Sequence, residues 1–322
     1  MITDASGRTF KKLRVSLTHE CNYACSYCSY GSDDHSQQQS SSGVTSSRPI
    51  LSTDDLLKII RKLHDELSLD AVRLTGGEPL LHPRIKSFVA GIYQAGITNI
   101  GMTTNGHLLH SRVKDLAEAG LKSVNISIDA LTEKTFSQMS RHSGLSRVLR
   151  SIDAAMDAGL VVKLNTVIVS GQNHEEILPL LEFALNKGII IRFLELMAMG
   201  PMQNKHETLF FSSTRILEVI GSRYHAESLP RENGSTSGYW SINGRKAFGI
   251  IANDSSPFCG DCNRLRLDSY GNIYGCLSSL IPIQVSPETS KYKLKTALKH
   301  AISHKQQSHF AGNRHTMQSI GG

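Results

Sequence analysis

All six cysteines of the 322-residue chain stand in two triplets, Cys21, Cys25 and Cys28 near the start and Cys259, Cys262 and Cys276 near the end. The spacings are C-x3-C-x2-C and C-x2-C-x13-C, with no cysteine between the two sets. A four-iron cluster held by three thiolates leaves one iron open to a substrate or cofactor. Two incomplete ligand sets therefore point to chemistry at iron. Three disulfides would need an oxidising compartment, and residues 1–30 lack the uninterrupted apolar run of a secretory signal. Taken alone, Cys259 and Cys262 also suit structural zinc with two further ligands, so their surroundings must decide.

Those surroundings are informative. The run Cys21-Asn22-Tyr23-Ala24-Cys25-Ser26-Tyr27-Cys28 directly follows a strand pattern over residues 13–17. Residues 73–79, Arg-Leu-Thr-Gly-Gly-Glu-Pro, close a second strand pattern, where Gly76 and Gly77 let the backbone approach a ligand and Glu78 supplies a carboxylate. In sequence and order, the two motifs resemble those of radical S-adenosylmethionine enzymes.

Strand-like runs at 13–17, 71–75, 99–103, 123–128, 161–169 and 189–196 alternate with helical patterns such as 53–67, which has Ser52 or Thr53 as its N-cap. This alternation predicts an α/β fold with a parallel sheet six units long. Six units match the open partial TIM-type barrel of radical S-adenosylmethionine enzymes, whose ligands sit at the carboxyl ends of strands. After residue 200 the rhythm loosens, and the polar, Gly/Ser-rich segment 229–244 precedes an apolar run at 247–252. We expect a barrel region at 1–200 and a C-terminal region at 201–322. Residues 32–47 are Ser/Gln-rich without apolar period and read as a mobile loop beside the first triplet.

With 39% hydrophobic and 20% charged residues the chain can bury a large core. The net charge of +7 is dispersed along the sequence, which favours an anionic small substrate over nucleic acid. Arg192 and Glu195 break the most apolar stretch, 188–199, so no membrane span is expected and a cytosolic protein is.

The second triplet narrows the resemblance. Cys259-Gly260-Asp261-Cys262-Asn263-Arg264-Leu265-Arg266-Leu267, then Tyr274-Gly275-Cys276-Leu277 and a terminal Ile320-Gly321-Gly322, is similar to the C-terminal pattern of the MoaA family of GTP 3',8-cyclases in molybdenum cofactor biosynthesis. The resemblance implies two 4Fe-4S clusters, on Cys21, Cys25 and Cys28 and on Cys259, Cys262 and Cys276. It implies S-adenosylmethionine contacts at Tyr27, Gly77, Ser127 and Met197. GTP contacts are implied at Arg14, Arg73, Thr104, Lys163, Arg264 and Arg266, and catalytic roles at Arg14, Arg264, Arg266, Gly321 and Gly322. GTP carries about four negative charges, which fixed cations and directional donors must meet.

In that family a 5'-deoxyadenosyl radical removes the C3' hydrogen of GTP, and C3' then attacks C8 of guanine. The implied partners are a one-electron reductant protein and a MoaC-type cyclic pyranopterin monophosphate synthase that receives the product, with room for a homodimer. Neither nucleic acid nor membrane is among them. The sequence departs from the family pattern after Cys28, where Ser29-Tyr30 replaces Met-Pro. The alternatives are a peptide-modifying radical enzyme with an auxiliary cluster, which does not need the Arg264-Leu265-Arg266 run, and a non-enzymatic zinc protein, which would hold no iron.

Overall fold

The computed structural model describes residues 2–29, 49–279 and 281–310, together with 312 and 317. The expected loop at 32–47 and the glycines Gly321 and Gly322 lie outside the described residues.

Every expected strand is present, displaced by a residue or two at its ends. The order is β1 (Lys12–Ser16), α1 (Thr53–Leu67), β2 (Ala71–Thr75), α2 (Ile85–Gln94), β3 (Ile100–Thr104), α3 (Val113–Glu118), β4 (Leu121–Ser127), α4 (Glu133–Ser140), α5 (Leu145–Asp157), β5 (Val161–Ile168), α6 (Ile177–Lys187) and β6 (Ile190–Glu195). Helix α1 starts where Ser52 accepts from the Asp55 N–H at 3.1 Å and ends at Ser68 in the left-handed region. Its apolar spacing buries Leu56, Ile60, Leu63 and Leu67 against the sheet side.

The C-terminal part adds α7 (His206–Leu209), α8 (Ser213–Gly221), β7 (Ala226–Leu229), β8 (Gly238–Ile242), β9 (Arg245–Ile251), β10 (Arg264–Leu267), β11 (Asn272–Tyr274), β12 (Ile283–Gln284) and α9 (Lys291–Ser303). The segment 229–244 thus contains a strand that its polar composition concealed. Short antiparallel edge strands need only one apolar face, so they lack the continuous apolar runs of buried parallel strands.

Among the described residues twelve strands form one sheet in the order β12-β11-β10-β1-β2-β3-β4-β5-β6-β9-β8-β7. β1 to β6 are parallel neighbours in chain order, and the sheet does not close on itself. β9 continues it in parallel beyond β6, and β10 does the same beyond β1.

Alternation along the strands divides the sheet faces. Leu13, Val15, Val72, Leu74, Met102, Val124, Ile126, Leu164, Ile191 and Phe193 are buried in the core. The intervening positions are polar: Arg14 and Arg73 are register partners, Thr103 pairs with Asn125, Asn125 with Lys163, and Asn165 with Arg192. A barrel interior is ordinarily filled with branched apolar side chains; here that face carries cations and amides and stays open.

Glu195, at the end of β6 and 1% exposed, joins the two parts of the chain. It accepts from Ser213 N at 2.7 Å, Asp254 N at 3.0 Å and Ser255 N at 3.1 Å, and from the Ser255 hydroxyl. Glu195→Ala strands three backbone donors and is expected to cost about 3 kcal/mol in urea unfolding of the apo chain; a loss under about 1 kcal/mol would remove this role.

Candidate active site on the concave sheet face

The first triplet rests on the turn after β2. Gly77 N donates to Thr18 O and Glu78 N to Glu20 O, each at 2.7 Å. A Cβ on Gly77 would come 2.1 Å from Glu20 O, and Gly76, at φ +151°, lies beside Thr18. Only glycines allow the turn to press this closely on the chain leading into Cys21.

Glu78 turns away from the triplet's sulfurs. It accepts from Thr104 Oγ1 at 2.7 Å, Asn105 N at 2.8 Å and Leu80 N at 3.0 Å. Burial pushes its carboxyl up to about 7 against the pull of these donors. Asn105 Nδ2 in turn donates to Asn22 Oδ1 at 2.9 Å and reaches Cys21 Sγ at 3.9 Å, while Tyr23 N donates to Cys21 Sγ at 3.4 Å. Tyr27 donates its hydroxyl to Asp129 Oδ2 at 2.7 Å, and Asp129 is raised to about 6 by burial.

None of the six cysteines is in a disulfide. Among the described residues, no three His, Cys, Asp or Glu side chains converge as a single metal ion requires. A cubane cluster sets a different demand, because each thiolate binds a separate iron. The donor sets fit one. Burial, then Asp129, Cys28 and Cys21, push the Cys25 thiol well up, so three thiolates there need a cationic load to balance them. In the second set Lys305 Nζ lies 3.4 Å from Cys262 Sγ. There burial, which raises the Cys262 thiol, is outweighed by Arg264 and Lys305, which bring it to about 7.

Two adjoining cavities open on the polar face. Arg14, Asn125, Arg192, Thr236 and Arg264 line both. The first is also bounded by Cys259, Cys262, Cys276, Arg266 and Met197, and the second by Arg73 and Lys163. Among the described residues no carboxylate forms an ion pair with Arg14, Arg73, Lys163, Arg192 or Arg264. Burial, then Arg266, Arg264, Arg73 and Arg192, hold the Arg14 guanidinium well below its ordinary value. Burial and Arg192 bring Arg73 to about 10. A cluster of half-buried, mutually repelling cations has the charge that would suit a polyanion.

The structure therefore gathers most of the residues singled out by sequence. Arg14, Arg264, Arg266, Met197 and the second cysteine set share one cavity, with Arg73 and Lys163 in the adjoining one. Tyr27, Gly77 and Ser127 line neither cavity and stand at or beyond the carboxyl ends of strands. Thr104 is turned from the cavities onto Glu78; its neighbour Thr103 faces the first cavity, as strand alternation dictates.

Arg192, Asn165, Asn125 and Lys305 were not foreseen as site residues. Arg192 donates to Asn165 Oδ1 from Nε at 2.9 Å and from Nη2 at 2.7 Å. The polar positions in the strand alternation could have revealed this pair. Nothing in the sequence marked Lys305.

Residues 15–184 match the Radical SAM superfamily and residues 189–311 match Molybdenum Cofactor Synthesis C. A GTP 3',8-cyclase of Synechocystis sp. is 37% identical over 276 residues, which covers 86% of this chain and 81% of the relative. Those of Nautilia profundicola and Aquifex aeolicus are each 35% identical, covering 93% and 87% of this chain and 88% and 85% of their own lengths.

The chain belongs to the GTP 3',8-cyclase family.

Its cyclase fold is similar to that of more distant enzymes. The Streptococcus suis SuiB structure bound to S-adenosylmethionine superposes with a TM-score of 0.61 at 17% identity, covering 86% of this chain and 63% of SuiB, so the chain spans under two thirds of that neighbour. Native anSMEcpe with bound AdoMet gives a TM-score of 0.61 at 16% identity, over 88% of this chain and 79% of that one. Among the described residues no helix is long and apolar enough to cross a membrane.

Glu78 and Asp129 hold protons more tightly in the folded than in the unfolded chain, so their contribution to stability is present at low pH and lost as pH rises through about 6 to 7. The apo chain is expected to lose urea stability between about pH 4 and pH 7, and Glu78→Gln to flatten part of that loss. A wild-type midpoint that rises across this window would contradict the assignment.

Proposed function

We propose that this chain converts GTP to (8S)-3',8-cyclo-7,8-dihydroguanosine 5'-triphosphate, the first step of molybdopterin biosynthesis. The observation that carries the reading is the unneutralised cation cluster sharing a cavity with the second cysteine set, in a chain of the GTP 3',8-cyclase family. Cys21, Cys25 and Cys28 would hold one 4Fe-4S cluster and Cys259, Cys262 and Cys276 the other. With S-adenosylmethionine bound, the first cluster would supply the one electron that cleaves its C–S bond to methionine and a 5'-deoxyadenosyl radical able to take the C3' hydrogen of GTP, which leaves C3' free to bond to C8.

The remaining work belongs to side chains. Arg14, Arg73, Lys163 and Arg192 neutralise the triphosphate, and Arg192 is held ready for it by Asn165. Thr103 takes the substrate contact expected of Thr104, because its side chain faces the cavity. Arg264 and Arg266 lie on the side lined by the second cysteine set and hold the guanine end there. Tyr27, Gly77, Ser127 and Met197 position S-adenosylmethionine along the strand ends. Catalytic roles for Arg14, Arg264, Arg266 and the glycines Gly321 and Gly322 belong to the same reading.

A cytoplasmic setting, a one-electron reductant protein, hand-over to a MoaC-type synthase and a homodimer complete the proposal, as does a division of the chain near residue 200. The cation cluster favours GTP over the peptide alternative.

Anaerobically reconstituted chain is expected to bind about eight irons and to form 5'-deoxyadenosine only with GTP. Eight irons with cleavage indifferent to GTP would overturn the substrate. Arg73→Ala and Lys163→Ala should each weaken GTP binding about 10- to 100-fold, measured calorimetrically, with guanosine binding unchanged; equal losses for both ligands would reverse the orientation.

A further inference from the structure

Lys305 follows α9 by two residues, is 7% exposed, and plays no part in the reaction as described above. Its ammonium donates to Gly275 O at 2.7 Å and to Arg264 O at 2.8 Å, and reaches Cys262 Sγ at 3.4 Å. Gly275 immediately precedes Cys276, and Arg264 follows Cys262 by two residues. One cation thus ties together the two segments that carry Cys262 and Cys276.

Two further contacts fix it in place. A Cβ on Gly275 would come 1.9 Å from Ala301 O, so the end of α9 presses directly on the Cys276 segment. On the other side Arg8, paired with Asp4 at 2.6 Å, donates from Nη1 to Cys259 O at 2.6 Å and to Gln306 O at 3.1 Å. All three cysteine segments are therefore held by buried cations on carbonyl or sulfur atoms. A lysine needed only to fasten the tail could use the two carbonyls alone; contact with sulfur adds an electrostatic consequence.

We propose that Lys305 is a positioning residue of the second iron-sulfur site, closing the ligand set around the cluster and raising its reduction potential through the N–H to Cys262 sulfur contact. The inference rests on the two-cluster reading above. Reduction adds negative charge to the cluster, and a cationic donor on a ligating sulfur stabilises the reduced form. Its removal moves the potential to more negative values.

The experiment uses the full chain carrying Cys21→Ala, Cys25→Ala and Cys28→Ala, so that only the second set can take up iron. After anaerobic reconstitution, iron per chain, iron release to a chelator and the midpoint potential by EPR-monitored titration are compared for Lys305, Lys305→Met and Lys305→Gln. The parent is expected to hold about four irons. Both variants should show a more negative midpoint and iron release faster by about 10- to 100-fold. Should Lys305→Met fail to fold by circular dichroism, Lys305→Gln, which retains a neutral donor, carries the comparison.

An unchanged midpoint in a folded variant overturns the tuning, and an unchanged release rate overturns the positioning. A parent that takes up no iron overturns the two-cluster reading and this inference with it, whereas an iron-loaded parent with insensitive variants overturns the inference alone.

Discussion

Positive charge that no carboxylate among the described residues meets in an ion pair governs the middle of this fold. Arg14, Arg73, Lys163 and Arg192 project from the parallel strands β1, β2, β5 and β6 onto one face of the sheet, and Arg264 adds to them from β10. Their mutual repulsion opposes folding unless water or an anion screens it. The face cannot collapse into a dry barrel core, and it retains an open cavity lined by these cations. Room for the charges is provided locally: Gly101 lies opposite Arg73 in register, and a Cβ there would stand 2.2 Å from the guanidinium. On the proposed reading, substrate recognition and the openness of the sheet share one cause.

The first cysteine set depends on a different device, close backbone contact. The Gly76-Gly77 turn docks on Thr18 and Glu20, and Glu78 carries the linkage onward to Thr104 and Asn105, whose amide returns to Asn22 and Cys21. Three strand ends are thereby locked to one loop by hydrogen bonds that are buried or partly buried. The second set is built instead from side-chain cations on carbonyls. The contrast follows from location, since the first set lies in the loop that leaves the parallel strand β1, whereas Cys259 and Cys262 lie in irregular chain between β9 and β10 and Cys276 just after β11, where no repeating backbone pattern exists to supply partners.

Legibility in the sequence followed the same division. Parallel strands covered by helices read as apolar runs, so β1 to β6 were visible, as was the helix capped by Ser52. The cysteines and the Arg264-Leu265-Arg266 run stood out because their chemistry is scarce and their spacing is local. β7, β8 and β10 to β12 did not stand out: they are two to five residues long, most pair with antiparallel neighbours close by in the chain and need no continuous apolar run, and β10 pairs with β1 some 250 residues away. Which of Thr103 and Thr104 faces the cavity depends on the strand phase, which a one-residue uncertainty in β3 leaves open in the sequence. Lys305 was invisible because its importance comes from three atoms in segments 30 to 43 residues earlier, none of which a local pattern can report.

The arrangement of the sheet also decides the order in which the chain can be completed. β1 forms first during synthesis, yet its outer neighbour β10 is made some 250 residues later, and β6 likewise waits for β9. Until then the six-stranded core presents two unpaired parallel edges, each a template for another chain. A fragment ending after β6 would carry those edges permanently and would be prone to self-association. The C-terminal part is thus the selvedge of the sheet as well as the carrier of a cysteine set, and the nascent protein depends on it for solubility before it depends on it for chemistry.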